Sequence, residues 1–206
     1  MNVSGNHLPS RRSIRLKNYD YSQSGFYFLT LCVQHRLNLF GNFIETNLEL
    51  NDAGKMVERW YFEMQNKYPN IRCHEMVVMP NHFHCIVEIT DSHVPDAHAD
   101  DTDAHVGAPL RGRSDIAPTP ESTKNAYGPD NKIYNATIGD MMDWFKTMTT
   151  NEYIRGVKNH GWQRFNGKLW QRNYWEHIIR DEDELARIAN YIITNPDNWD
   201  KDRLKG

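Results

Sequence analysis

No stretch of this 206-residue chain approaches the ~20 consecutive apolar residues of a membrane-spanning helix. An integral membrane protein of that kind is therefore not expected. The first twenty residues hold Arg11, Arg12, Arg15 and Lys17 but no hydrophobic segment, which argues against a secretory leader. Cysteine is scarce: Cys32, Cys73 and Cys85 make an odd set of three. Cys32 and Cys85 lie inside apolar runs and read as small core residues. A disulfide scaffold is not expected, and a reducing, cytoplasmic setting fits. No CxxC pair is present, so a zinc finger or ribbon is not expected either. Net charge is small, with 24 Lys and Arg against 27 Asp and Glu, giving -3. That total speaks neither for nor against nucleic acid, and the chain has no internal repeat.

The distribution of charge is more informative. Residues 91-136 carry 8 acidic and 4 basic residues, with 8 Pro and Gly and no Phe, Trp or Met. This composition reads as a long loop or partly disordered insertion. Its histidines, His93, His98 and His105, read as solvated. Residues 144-180 are the opposite, with 7 basic against 2 acidic residues. Eight aromatic rings are interleaved there, among them Trp170, Tyr174 and Trp175. Cations that follow phosphates and rings that stack on bases suit a single-stranded nucleic acid. The same pattern also suits a Trp-rich core with solvated lysines.

The remaining chain divides into short elements. Phe26 to Val33 is rich in aromatic and β-branched residues and reads as a strand. Residues 43-50 read as a second strand, paired with the first as a hairpin. Asn51 or Asp52 can cap a helix running to about Tyr68, with Val57, Trp60, Tyr61 and Met64 as its stripe. Strands follow at 71-79 and 82-89, joined tightly at Pro80-Asn81. Thr137 opens a helix reaching about Val157. A strand is expected at 176-180, then a last helix capped by Asp181 with the stripe Leu185, Ile188, Ala189 and Ile192. Pro196 stops it. The mixed order predicts an α+β fold: an antiparallel sheet with helices on one face. The domain reading is a basic arm (1-20), one catalytic domain (21-90 and 137-200), the acidic insertion (91-136) and a short tail (201-206).

Two histidines, His82 and His84, flank Phe83. Alternate strand residues share a face, so two imidazoles stand side by side while Phe83 points into the core. Ten histidines in this chain give roughly half an HxH by chance, so the pair alone is a weak signal. Tyr191 and Asn195 are four apart on the last helix and share a face. Read alone, Tyr191 is a core-edge residue and Asn195 a helix terminator. If that helix crosses the sheet beside the histidine strand, the two sites join. His82, His84 and the Asn195 oxygen would then hold a divalent cation, with open positions suited to Mg²⁺ or Mn²⁺. The Tyr191 hydroxyl could attack a phosphodiester in line, leaving a phosphotyrosine bond to DNA. Tyr174 is the rival nucleophile, but it has Ile178 at i+4 and precedes a strand.

The segments VVMPNHFHCIV (77-87), WQRNYWEHIIRDEDELARIANYIITNP (170-196) and RRSIRLKNYDYSQSGFYFLTLC (11-32) together resemble the REP-associated tyrosine transposases. These are a branch of the single-tyrosine HUH transposases. The resemblance spans about 160 residues, everything outside the insertion. It implies a ferredoxin-like fold, a divalent metal, and cleavage and rejoining of single-stranded DNA beside repetitive extragenic palindromic (REP) hairpins. It implies His82, His84 and Asn195 as metal ligands and Tyr191 as nucleophile. Related insertion-sequence enzymes carry a glutamine four residues after the tyrosine, where this chain has Asn195. The implied state is a monomer or weak dimer, without nucleotide cofactor. Arg11, Arg12, Arg15 and Lys17 are expected to grip DNA, and Trp170, Arg172 and Tyr174 to line the strand's path, with Trp170 equally suited to the core. Two other readings are a hairpin-binding protein without strand transfer, and a water-using metal phosphoesterase. The second normally wants several carboxylates near the histidines, and only Glu75 and Glu88 are near in sequence.

Overall fold

A computed structural model describes residues 23-90 and 136-205. The basic arm and nearly all of the insertion lie outside the described residues, and so do Arg11, Arg12, Arg15 and Lys17. The elements run β1 (Gly25–Cys32), β2 (Gly41–Ile44), β3 (Asn47–Leu50), α1 (Asp52–Lys67), β4 (Ile71–Met79), β5 (His82–Ile89), α2 (Ile138–Asn159), β6 (Trp175–Ile179) and α3 (Glu182–Ile193). A 3-10 helix, Pro196–Lys201, follows.

The main sheet has the order β4-β5-β1-β6, and the pairings of β1 with β5 and β6, and of β4 with β5, are antiparallel. With α1 and α2 this is the βαββαβ arrangement of a ferredoxin-like sheet. Each element has a local cause. Asn51 caps α1 by accepting from the Gly54 amide at 2.9 Å. Gly54 is required there, because a Cβ would lie 2.2 Å from the Phe40 carbonyl oxygen. Thr137 and Asp140 form a reciprocal capping box on α2. Asp181 caps α3 through the Glu184 amide at 2.7 Å.

The expectation for residues 43-50 is corrected. They do not pair with β1 but bend back on themselves as β2 and β3, a separate two-stranded sheet. Glu45 turns the chain with φ at 54°, a left-handed conformation that no alternation pattern signals.

The two faces of the sheet differ. Tyr27, Leu29 and Leu31 of β1 and Phe83, Cys85 and Val87 of β5 point one way and are buried in the larger core with Tyr61, Trp144 and Phe145. There α1 and α2 cover the sheet as expected. Phe28 and Ile86 point the other way, into a smaller cluster with Ile179, Ile188 and Ile192. So α3 takes the opposite face from α1 and α2. Its apolar stripe is short, and burying Ile188 and Ile192 contributes about 1.5–3 kcal/mol each. That is the face on which His82 and His84 stand. Among the described residues no helix is long and apolar enough to cross a membrane.

Candidate metal and tyrosine site

The Pro80-Asn81 joint sets the first histidine. Met79 pairs with His82 directly across it, so His82 opens β5 next to the turn. The Asn81 side-chain oxygen meets His82 Nδ1 at 2.7 Å. Thr30, opposite His84 on β1, places its hydroxyl 2.7 Å from His84 Nδ1. Both rings are thus held through Nδ1, which turns both Nε2 atoms toward one point. Both residues are buried, at 0% and 2% exposure. Burial first, then the neighbouring His82, lowers His84 to about 3, against an opposing pull from Asp202. The ring is therefore neutral near pH 7 and offers a lone pair.

Asp202 completes the group, and sequence reasoning missed it. The residue lies in the segment read as a tail, with nothing in the local pattern to mark it. The 3-10 helix brings it back over β5: Trp199 stacks near His82, ring centroids 6.0 Å apart, and also on Phe43 at 5.4 Å. The Leu204 carbonyl accepts from Asn81 Nδ2 at 3.0 Å and from Arg36 Nη1 at 3.1 Å. His82, His84 and Asp202 offer ligand atoms that all lie within 4.8 Å of one another. Burial would raise the Asp202 carboxyl, but the His82 ring and the Leu204 amide outweigh it and hold it below its usual range.

The donor set fits a cation. His82 Nε2 and Asp202 Oδ2 are 3.3 Å apart, yet they are not aligned for a hydrogen bond. Asn195 is 3% exposed, and its Oδ1 is also buried without a hydrogen-bond partner. Leaving three such atoms unsatisfied would be costly. A metal ion held by His82, His84 and Asp202 would satisfy the first two.

The sequence-expected residues divide in two. His84, Asn195 and Tyr191 meet at one groove of about 810 Å³, which Asp202 and Tyr174 also line. The Tyr191 hydroxyl lies 3.4 Å from His84 Nε2, and the side chain is 43% exposed. Burial and the Asp202 charge raise its pKa, while the Asn195 side chain opposes them. Arg172 is exposed, and Tyr174 sits under Lys146 Nζ, 5.1 Å from its ring centroid. Trp170 takes the second of its two expected places. It is 4% exposed, packs on Phe40 and Phe145, and gives its indole N–H to Thr149 at 2.9 Å. It belongs to the core, because the Val33–Trp170 bridge pins it beside β1 on the α2 side.

No family model matches the chain. An uncharacterized protein of Haemophilus influenzae is 36% identical over 94% of this chain and 92% of its own length. A candidate REP-associated tyrosine transposase of the same organism is 24% identical over 88% of this chain and 76% of its own. A solved REP-associated tyrosine transposase bound to a REP hairpin aligns with 88% of this chain and 72% of that one, at 17% identity and a TM-score of 0.43. Along most of its length the chain is thus similar to an uncharacterized protein and, more distantly, to a protein described as a REP-associated tyrosine transposase.

Proposed function

We propose that this protein is a metal-dependent endonuclease and strand transferase for single-stranded DNA beside palindromic hairpins. The observation that carries the reading is the convergence of the Tyr191 hydroxyl with His82, His84, Asn195 and Asp202. A protein that only binds hairpins has no use for a half-exposed phenol against buried, unpartnered ligand atoms.

His82 Nε2, His84 Nε2 and Asn195 Oδ1 would hold Mg²⁺ or Mn²⁺, with Asp202 as a further oxygen ligand. Such an ion supplies Lewis-acid charge to a phosphodiester oxygen and lowers the cost of ionising a nearby hydroxyl. In the reaction, the Tyr191 oxygen bonds to phosphorus and the P–O3′ bond breaks. The phenol proton goes to solvent, and the leaving 3′ oxygen takes up a proton. The product is a 5′-phosphotyrosine and a free 3′-OH. Because one phosphoester replaces another, the bond energy is kept and the 3′-OH can reverse the step. Arg36, Lys201 and Arg203 at the rim of the groove would counter the phosphates, with Arg172 and the N-terminal Arg11, Arg12, Arg15 and Lys17.

The test is incubation with a hairpin oligonucleotide bearing a single-stranded flank and Mn²⁺, followed by a denaturing gel. A band shifted by one covalently attached strand is expected. Its absence across hairpins of varied flank, REP hairpins included, would reject the reading.

A further inference from the structure

The geometry points to Trp175 as a base-stacking platform for the nucleotide next to the scissile phosphate. This inference rests on the reading of Tyr191 as the reacting group. Trp175 is one of the eight aromatics of residues 144-180. The register of β6 gives it a place. Trp175 lies opposite Thr30 and His177 opposite Phe28, so both side chains stand on the histidine face of the sheet.

Trp175 is 45% exposed, although it is a large apolar ring on an edge strand beside the site. It is held rather than loose. Its ring is nearly parallel to that of His177, at 3° with centroids 5.7 Å apart, and Phe28 meets it edge-on at 5.5 Å. The His177 ring is itself fixed, because its Nε2 lies 2.8 Å from Glu184. An exposed indole braced from behind keeps a π-face for a ligand at little entropic cost.

Its position commits it to the strand's path. Trp175, Phe28 and Tyr191 line the 810 Å³ groove that reaches His84 and Asp202. The same three line a second groove of about 650 Å³ between β6 and α3, together with Arg187, Asn190 and Thr194. The ridge between the grooves therefore carries the phenol and the indole together. A strand with its phosphate at Tyr191 that passes from one groove to the other crosses this ridge, and its next base, on the α3 side, meets Trp175. Asn190 and Thr194 are the polar groups available there to the sugar-phosphate backbone. Any base can stack, so Trp175 supplies affinity and placement without choosing sequence.

The test uses the full chain carrying Tyr191→Phe, so that binding is read without cleavage. Affinity is measured by anisotropy for a hairpin with a single-stranded flank and for the same hairpin without it. Adding Trp175→Ala is expected to weaken the flanked hairpin about tenfold and the flankless one less than about twofold. Trp175→Phe should recover affinity to within about threefold, since a smaller ring still stacks. One abasic position in the flank should cost as much as Trp175→Ala, with no added loss when both are combined. Equal loss on both hairpins, no loss on the flanked one, failure of phenylalanine to rescue, or full additivity with every abasic position would each overturn the inference. If wild-type protein forms the covalent adduct while Trp175→Ala leaves flank affinity intact, only this inference falls. If no adduct forms with any of the hairpins, the reading of Tyr191 falls, and this inference falls with it.

Discussion

The Tyr191 hydroxyl lies 3.4 Å from His84 Nε2, across 107 residues of sequence. Two elements make that contact. β5 carries the imidazole on the sheet face away from α1 and α2, and α3 is fastened to that face by Ile188 and Ile192. Tyr191 stands one position before Ile192, at the rim of the buried stripe, and so remains half exposed above the metal group.

Replacing Tyr191 by Phe removes the nucleophilic oxygen and leaves the ring's contact with Phe28 and His84. The covalent protein–DNA band should vanish on a denaturing gel. Hairpin affinity should stay within about threefold, because the variant loses no charge. Tyr174→Phe, which alters the other tyrosine of the groove, should leave the band in place.

His82→Ala and His84→Ala each remove one nitrogen ligand. Either should abolish cleavage and lower Mn²⁺ affinity, read by calorimetry on the purified protein. Addition of EDTA to the wild type should stop cleavage in the same way. In the wild type, Mn²⁺ at a hundred times its Kd should stabilise the fold by about 2.7 kcal/mol, seen as a raised Tm. That rise should be absent in both variants.

Thr30→Val keeps the shape of the side chain but removes the hydroxyl that fixes His84 Nδ1. Outer partners of this kind typically contribute about 10–100-fold to metal affinity. Calorimetry with Mn²⁺ should show a loss in that range, while far-UV circular dichroism stays unchanged.

Phe83 is the test of the opposite face. It is fully buried, stacks on Phe145 with centroids 5.4 Å apart and meets Tyr61 edge-on. Phe83→Ala should cost about 3–5 kcal/mol in urea unfolding. The loss should appear in stability of the protein prepared without metal, since the residue points away from the site.

Hairpin binding should weaken steeply as salt rises, with a log–log slope set by the number of phosphates neutralised. Charge reversal at Arg203, Arg203→Glu, should make that slope shallower. A slope unchanged from the wild type would remove Arg203 from the DNA contacts.

Most local elements, and the faces of the main-sheet strands, were legible in the order of the residues. Alternation placed His82 and His84 on one side and Phe83 on the other, and side-chain caps fixed the starts of α1, α2 and α3 at Asn51, Thr137 and Asp181. These are effects of a few consecutive residues, so they are written in the order of the chain. Which distant groups meet was set by packing. The burial of Trp170, the arrival of Asp202 beside His82, and the setting of Trp175 next to Tyr191 all depend on contacts between remote segments. Packing against a sheet face has no sequence period of its own, and a carboxylate near the end of the chain becomes a ligand only when Trp199 and Leu204 dock it there.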